Sequence, residues 1–299
     1  MNIYYHKLYT DGIDEKSSFP RDRYRLVKQS LESNQNSQIN ILKSEKADLD
    51  DIYRAHSKQY VKNFLNGNLS DNEIRQIGLK PWSDSIVDRT LLITGGSLMA
   101  LKDIYYGAKI AGNMAGGTHH AFYDRGSGFC IFNDIAICAL KAIDCYKYKK
   151  IVVIDLDVHQ GDGTASILSN RKDIFTFSMH CEKNFPFKKV NSDLDLPLKE
   201  RLTDEEYLDS LKLGLHHLDS VDSNIIFFQA GVDSLGSDRY GKLNLSLKGL
   251  DLRNELIFNF ARKRKNPIII FMGGGYSNPI NHSVDAFSNL FAFFSSYNF

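Results

Sequence analysis

From about residue 108 onward the chain alternates between short apolar runs and longer amphipathic stretches. The apolar runs Lys109 to Asn113, Ile151 to Leu156, Ile174 to Ser178, Asn224 to Gln229 and Pro267 to Met272 predict strands. In the run I-V-V-I from Ile151 no polar residue alternates with the apolar ones, so this strand is predicted to be buried on both faces, as in a parallel sheet. Helices are predicted between the strands. Asn133 caps one running to about Tyr146, and a short one follows Gly163. Thr203 and Glu206 form a capping box that opens a helix to about Leu218, Ser246 caps one reaching about Lys263, and Val284 to Phe294 closes the series. Strands alternating with helices imply an α/β protein, a parallel sheet with helices on both faces.

The first part of the chain is less periodic. Ile3 to Tyr5 is predicted as an edge strand, and Asp22 to Glu32 and Ser57 to Asn66 as helices, the second closed by Gly67. Ser70 and Glu73 have capping-box spacing for a short helix ending at Gly78. Asp84 to Tyr106 is predicted as a long helix, weakened by Gly95-Gly96 and stopped by Gly107. No repeat, low-complexity tract or linker interrupts the chain, which predicts one domain over residues 1–299.

Composition narrows the function. A net charge of +1 gives no electrostatic case for direct nucleic acid binding or for an anionic membrane. No run approaches the ~20 apolar residues of a membrane span, and the N-terminal M-N-I-Y-Y-H-K lacks an apolar signal core. The four cysteines have no C-x-x-C spacing and suit a reducing compartment, so a cytoplasmic location is expected.

In such sheets functional groups gather at the carboxyl ends of the strands. Here those ends read G-G-T-H-H (116–120), D-L-D-V-H (155–159), S-M-H (178–180), A-G-V-D (230–233) and G-G-G-Y (273–276), and all five are predicted on one rim. Three acids and an imidazole after an apolar strand are costly unless something pairs with them. Asp157 and His159 are two apart, so in extended chain they point the same way. With Asp233 as a third ligand they would hold a zinc ion and leave one position open, where a water would titrate near roughly pH 7. His119 and His120 are candidates for the general base, with Asp155 and Asp162 left over to fix their tautomers. Tyr276, after three glycines, could donate to a developing oxyanion. Gly128-Phe129, Phe185 and Phe187 could wall a narrow apolar slot.

The motifs G-G-T-H-H-A (116–121), G-F-C-I-F-N-D (128–134), D-L-D-V-H-Q-G-D-G (155–163), F-S-M-H (177–180), A-G-V-D-S-L-G-S-D (230–238) and G-G-G-Y (273–276) run in the order found in the histone deacetylase superfamily, which this chain resembles. The phrases F-P-R-D-R-Y (19–24), F-S-M-H-C-E-K-N-F-P-F and S-D-L-D-L-P-L (192–198) look most like the class IV branch and its bacterial relatives. The resemblance implies the arginase/deacetylase fold, a three-layer α/β/α domain around an eight-stranded, mostly parallel sheet. It implies removal of acetyl or longer acyl groups from lysine in a protein or peptide. Deacylation of a small amide such as an acetylpolyamine, or non-enzymatic binding of acyl-lysine, stands as the alternative. It implies zinc, or ferrous iron, on Asp157, His159 and Asp233, His120 as base and then acid beside His119, and Tyr276 polarising the amide. A potassium site would use Asp155 and Ser178 with backbone oxygens of Asp157, His159 and Met179. Gly128, Phe129, Tyr240, Gly274 and Phe185 or Phe187 would line the acyl-lysine tunnel, and Arg25 would guard an inner cavity.

Two features separate the chain from neighbouring activities of the same fold. Arginase-like enzymes need further acids for a second metal, where this chain has Gly161 and Leu235. Acetylpolyamine deacetylases carry acids after the third ligand, where this chain has Arg239, Tyr240 and Lys242, groups that would repel a polycation.

Overall fold

The computed structural model describes residues 1–34 and 38–296. Eight strands form one sheet: β1 (Asn2–Tyr5), β2 (Asn40–Lys43), β3 (Ile110–Asn113), β4 (Ile151–Asp155), β5 (Ile174–Cys181), β6 (Leu194–Leu198), β7 (Ile225–Gln229) and β8 (Ile268–Phe271). Their spatial order is β2-β1-β3-β8-β7-β4-β5-β6, and every neighbouring pair is parallel. The central strands β4, β7 and β8 are buried at every position, which requires helices over both faces. The Ile86–Tyr105 helix packs on β1 and β3, while the Asn281–Ser295 helix packs against the Arg23–Ser33 and Leu247–Arg264 helices. No helix among the described residues is long and apolar enough to cross a membrane.

The apolar runs became strands, and Ser57, Ser70, Asn133, Thr203 and Ser246 each cap their helix by accepting a backbone N–H. The periphery differs from the sequence pattern. Strands β2 and β6 carry no long apolar run: β2 reads N-I-L-K, and β6 is L-D-L-P-L, with a proline tolerated because it lies at the sheet edge. Because β2 pairs outside it, β1 is not an edge strand, contrary to the prediction for Ile3 to Tyr5. β5 continues past Ser178 to Cys181 because β6 pairs with it from Phe177 onward, so Met179 and His180 lie inside the strand.

The Gly95-Gly96 pair does not break the long helix. A Cβ on Gly95 would stand 1.8 Å from the carbonyl oxygen of Glu45, so glycine there lets the segment after β2 lie directly on the helix.

The five strands whose ends carry the unusual residues, β3, β8, β7, β4 and β5, are consecutive neighbours in the sheet. Parallel pairing therefore delivers all five motifs to one rim.

Candidate active site

Asp157, His159 and Asp233 meet at this rim, each offering one ligand atom within 4.8 Å of the others. Each carboxylate is anchored through one oxygen. Asp157 Oδ2 accepts from the Gln229 side-chain amide at 2.8 Å and from the Gly274 N–H at 2.9 Å. Asp233 Oδ1 accepts from the Val158 N–H at 2.9 Å. The remaining oxygens face His159 Nδ1, at 3.0 Å from Asp157 Oδ1 and 3.1 Å from Asp233 Oδ2. The approach is possible because position 274 is glycine: a Cβ there would stand 2.0 Å from Asp233 Oδ2.

The donor set fits a small divalent cation. Two buried carboxylates against one imidazole demand a positive charge. Without a metal that charge is a proton: burial alone would lower the His159 pKa, but the hydrogen bonds and charges of Asp157 and Asp233 overcome it and raise it to about 10. Asp233 is raised by burial and by the neighbouring Asp157 charge. Two carboxylates and one imidazole also match a catalytic site with an open position. Gly161 and Leu235 offer no side-chain ligand for a second ion.

Both histidines of the 119–120 pair are buried and each is oriented by its own acid. His119 Nδ1 lies 2.7 Å from Asp155 Oδ2, and His120 Nδ1 lies 2.6 Å from Asp162 Oδ1. Their protonation diverges. For His119, burial is outweighed by Asp155 and Asp157, and the pKa rises to about 9. For His120, burial and then the neighbouring His119 charge outweigh Asp162, and the pKa falls to about 4. The two ring centroids are 4.1 Å apart, so one cationic ring discourages a second.

The loop carrying the pair is held from below by Asp134, which accepts from the Thr118 N–H at 2.9 Å, the Thr118 hydroxyl at 2.6 Å and Ser97 Oγ at 2.5 Å. His56 bridges the same region, with Nε2 accepting from the Asn133 N–H at 2.8 Å and Nδ1 2.9 Å from the Phe122 carbonyl. Neither residue was given a role from the sequence: Asp134 closes the G-F-C-I-F-N-D motif, and His56, in the polar stretch R-A-H-S-K, carried no signal.

A cavity of about 470 Å³ joins these groups. Its walls include Gly128, Phe129, Phe185, Tyr240, Gly274 and Tyr276, together with both histidines. The Phe185 ring stands 4.9 Å from that of His120, and Tyr240 lies 5.1 Å from Tyr276. Phe187 also lines the cavity but is 90% exposed, which puts it at the mouth, while Phe185 lies deeper against His120. Asp238 fixes Tyr276 from behind by accepting its backbone N–H at 2.6 Å. Burial holds the Tyr276 phenol well above its ordinary pKa, so it remains a donor.

Arg25 does not reach the cavity. It is on the surface, paired with Asp22 at 2.9 Å, because helical geometry turns it away from its neighbour two residues earlier. Arg23 takes the inner position: it is buried and donates to the carbonyls of Gly275 and Gly273 at 2.7 and 3.0 Å. Asp155 and Ser178 are register partners on β4 and β5, which brings the predicted cation-binding side chains side by side next to Asp157, His159 and Met179.

The sheet and its rim define an α/β protein of the arginase/deacetylase type. The histone deacetylase domain family matches residues 17–290. The chain is 39% identical over 288 residues to an uncharacterized protein of Picosynechococcus sp., covering 94% of both chains. It is 31% identical over 261 residues to histone deacetylase clr6 of Schizosaccharomyces pombe, covering 80% of this chain and 63% of that one. Human histone deacetylase 1 is 28% identical over 261 residues, covering 80% of this chain and 53% of the human protein. The chain belongs to the histone deacetylase family, and it spans little more than half to two-thirds of the length of these two named deacetylases.

Proposed function

We propose that this protein is a single-domain, metal-dependent hydrolase that removes acetyl or longer acyl groups from lysine side chains. One observation carries the reading: a single cavity brings together a two-acid, one-imidazole cluster, two acid-oriented histidines and a buried tyrosine. Zinc or ferrous iron on Asp157, His159 and Asp233 would supply the Lewis acid that polarises the amide and acidifies water. Phe129, Phe185 and Tyr240 enclose the aliphatic lysine stem and exclude water around it. Neutral His120 takes a proton from the attacking water and passes it to the lysine nitrogen as the C–N bond breaks, with Asp162 stabilising the transient imidazolium. Cationic His119 and the Tyr276 hydroxyl face the charge that develops on the amide oxygen.

The supporting site is proposed as a potassium site on Asp155 and Ser178 with the backbone oxygens of Asp157, His159 and Met179; the register of β4 and β5 supports it. The cysteines are free thiols, which suits a cytoplasmic location. The motifs of residues 19–24 and 177–187 favour the class IV branch. Lys183 and Lys242 at the cavity disfavour a polyamine substrate.

A panel of peptides carrying lysine amides of increasing acyl length, assayed with and without chelator, tests the reading. Hydrolysis of at least one amide is expected, lost on chelation and restored by zinc. Chelator-resistant hydrolysis, or none with any amide in the metal-loaded protein, would refute it.

The pH profile is a second check. A base titrating at about 4 is neutral and competent above that value, so the rate is expected to hold from neutral pH to about 5 and fall below. This limb lies lower than the pH 6–7 expected of an unperturbed histidine, because burial opposes the charged ring. Asp162 raises the His120 pKa, so Asp162→Asn is expected to move the limb to lower pH while lowering the plateau rate, with metal content unchanged. A limb that stays in place would assign it to another group.

A further inference from the structure

The inner end of the cavity holds two arginines that the mechanism leaves partly unused. Arg23 and Arg89 both line it, and they are 3% and 4% exposed. Their guanidinium groups bracket one hydroxyl, with Nη2 of Arg23 3.1 Å and Nη2 of Arg89 3.3 Å from Tyr24 Oη. Both also lie over the Phe19 ring, at 5.0 and 5.8 Å from its centroid. They are therefore adjacent like charges, and neither forms an ion pair with a carboxylate among the described residues. Buried charges are ordinarily paired, and an arginine cannot escape by losing its proton.

Aromatic faces and backbone carbonyls offset part of this cost. Clamping the glycine loop explains two of Arg23's bonds, to Gly273 and Gly275. It does not explain Arg89, whose hydrogen bonds to the described residues go to the Tyr9 carbonyl and Tyr24 Oη. Nε of Arg23 is buried without a partner among the described residues. The two guanidinium groups thus border the cavity with charge that no carboxylate of the described residues neutralises, in the planar geometry that suits a carboxylate.

The position relative to the reaction centre is short-range. Arg23 holds the residues on either side of Gly274, whose own N–H binds the Asp157 carboxylate at 2.9 Å. Its guanidinium carbon is 5.3 Å from the Tyr276 ring centroid. Arg23 and Arg89 share the cavity wall with Tyr276, so an acyl chain that continues inward past the tyrosine would meet them.

We propose that the arginine pair selects acyl groups ending in a carboxylate, such as succinyl or glutaryl, and that the protein hydrolyses lysine amides of these dicarboxylic acids. The proposal rests on the deacylase reading above. In the step, the amide C–N bond breaks, water supplies the oxygen to the acyl carbon and its hydrogens to the lysine nitrogen, and the dicarboxylate leaves with no redox change. A released monocarboxylate could use the same donors, but only the attached ω-carboxylate would alter which amide is cleaved.

The test uses the full-length, metal-loaded protein and one peptide bearing acetyl-, pentanoyl- or succinyl-lysine. Pentanoyl matches the succinyl chain in length but lacks the charge. The succinyl peptide is expected to have a kcat/KM roughly tenfold or more above the pentanoyl one, the scale of one charge-assisted hydrogen bond. In Arg89→Met that ratio is expected to fall by about the same factor, and Arg89→Lys to restore part of it. If acetyl-lysine is cleaved but succinyl is slower than pentanoyl in the wild type, the inference is overturned while the deacylase reading stands. If no peptide is cleaved, that reading falls, and calorimetric binding of the same three peptides decides the anion site: succinyl binding no tighter than pentanoyl overturns it too.

Discussion

Replacing Asp157 with alanine is expected to remove the bound metal and amide hydrolysis together. Asp157 is the most heavily used of the three proposed ligands. Through Oδ2 it is fixed by Gln229 and Gly274, and through Oδ1 it faces His159. Without it, one carboxylate and one imidazole remain, too few to hold a zinc ion in a site that must also keep an open position. The metal-loaded wild type is expected to contain one equivalent per chain and the variant close to none. The Gln229 and Gly274 donors would also lose their acceptor, at a cost of about 1–3 kcal/mol each, so a lower Tm accompanies the alanine change. Asp157→Asn keeps most of the shape and separates the two effects, with better stability than the alanine variant and equal loss of metal. Metal analysis of wild type and both variants checks this. Two stoichiometric ions in the wild type, or one retained in Asp157→Ala, would place the centre elsewhere.

Tyr276→Phe is expected to lower kcat roughly 100–1000-fold, the usual effect of losing one oxyanion donor. The tyrosine backbone is held by Asp238, and its ring packs between Phe19, Phe129 and Tyr240 with Arg23 near one face. Phenylalanine preserves all of those contacts. The hydroxyl makes no hydrogen bond to another described residue, so its removal breaks nothing in the resting protein. Tm and metal content should match the wild type while kcat falls and KM changes little, the signature of an interaction made in the transition state. A kcat within a few-fold of wild type would remove Tyr276 from the chemistry.

The parts of the site that could be read from the chain are those set by strand periodicity. The apolar run before Asp157 and His159 marked a buried strand end, but β4 stops at Asp155, and the two residues come together in the bend beyond it, where the His159 N–H donates to Asp157 Oδ1 at 3.1 Å. Asp233 follows β7 by the same logic, and His119 and His120 follow β3. Their pairing with Asp155 and Asp162 also holds, with His119 taking Asp155 and His120 taking Asp162.

What only the tertiary structure decided depends on long-range neighbours. Which of Arg23 and Arg25 faces inward is a matter of helix rotation, set by the docking of the Arg23–Ser33 helix on the Asn281–Ser295 helix. The edge strands β2 and β6 form because a partner strand supplies hydrogen bonds that their own sequences do not demand. Gln229, Asp134 and Asp238 position the site from within the core or a turn, through bonds to residues distant in sequence. The opposite protonation tendencies of His119 and His120 arise from burial, from Asp155 and Asp157 beside His119, and from the His119 charge beside His120, which have no trace in the letters H-H. Local periodicity thus determined which groups reach the rim, and packing decided how they are oriented and charged, because orientation and charge are set by whatever lies across the cavity.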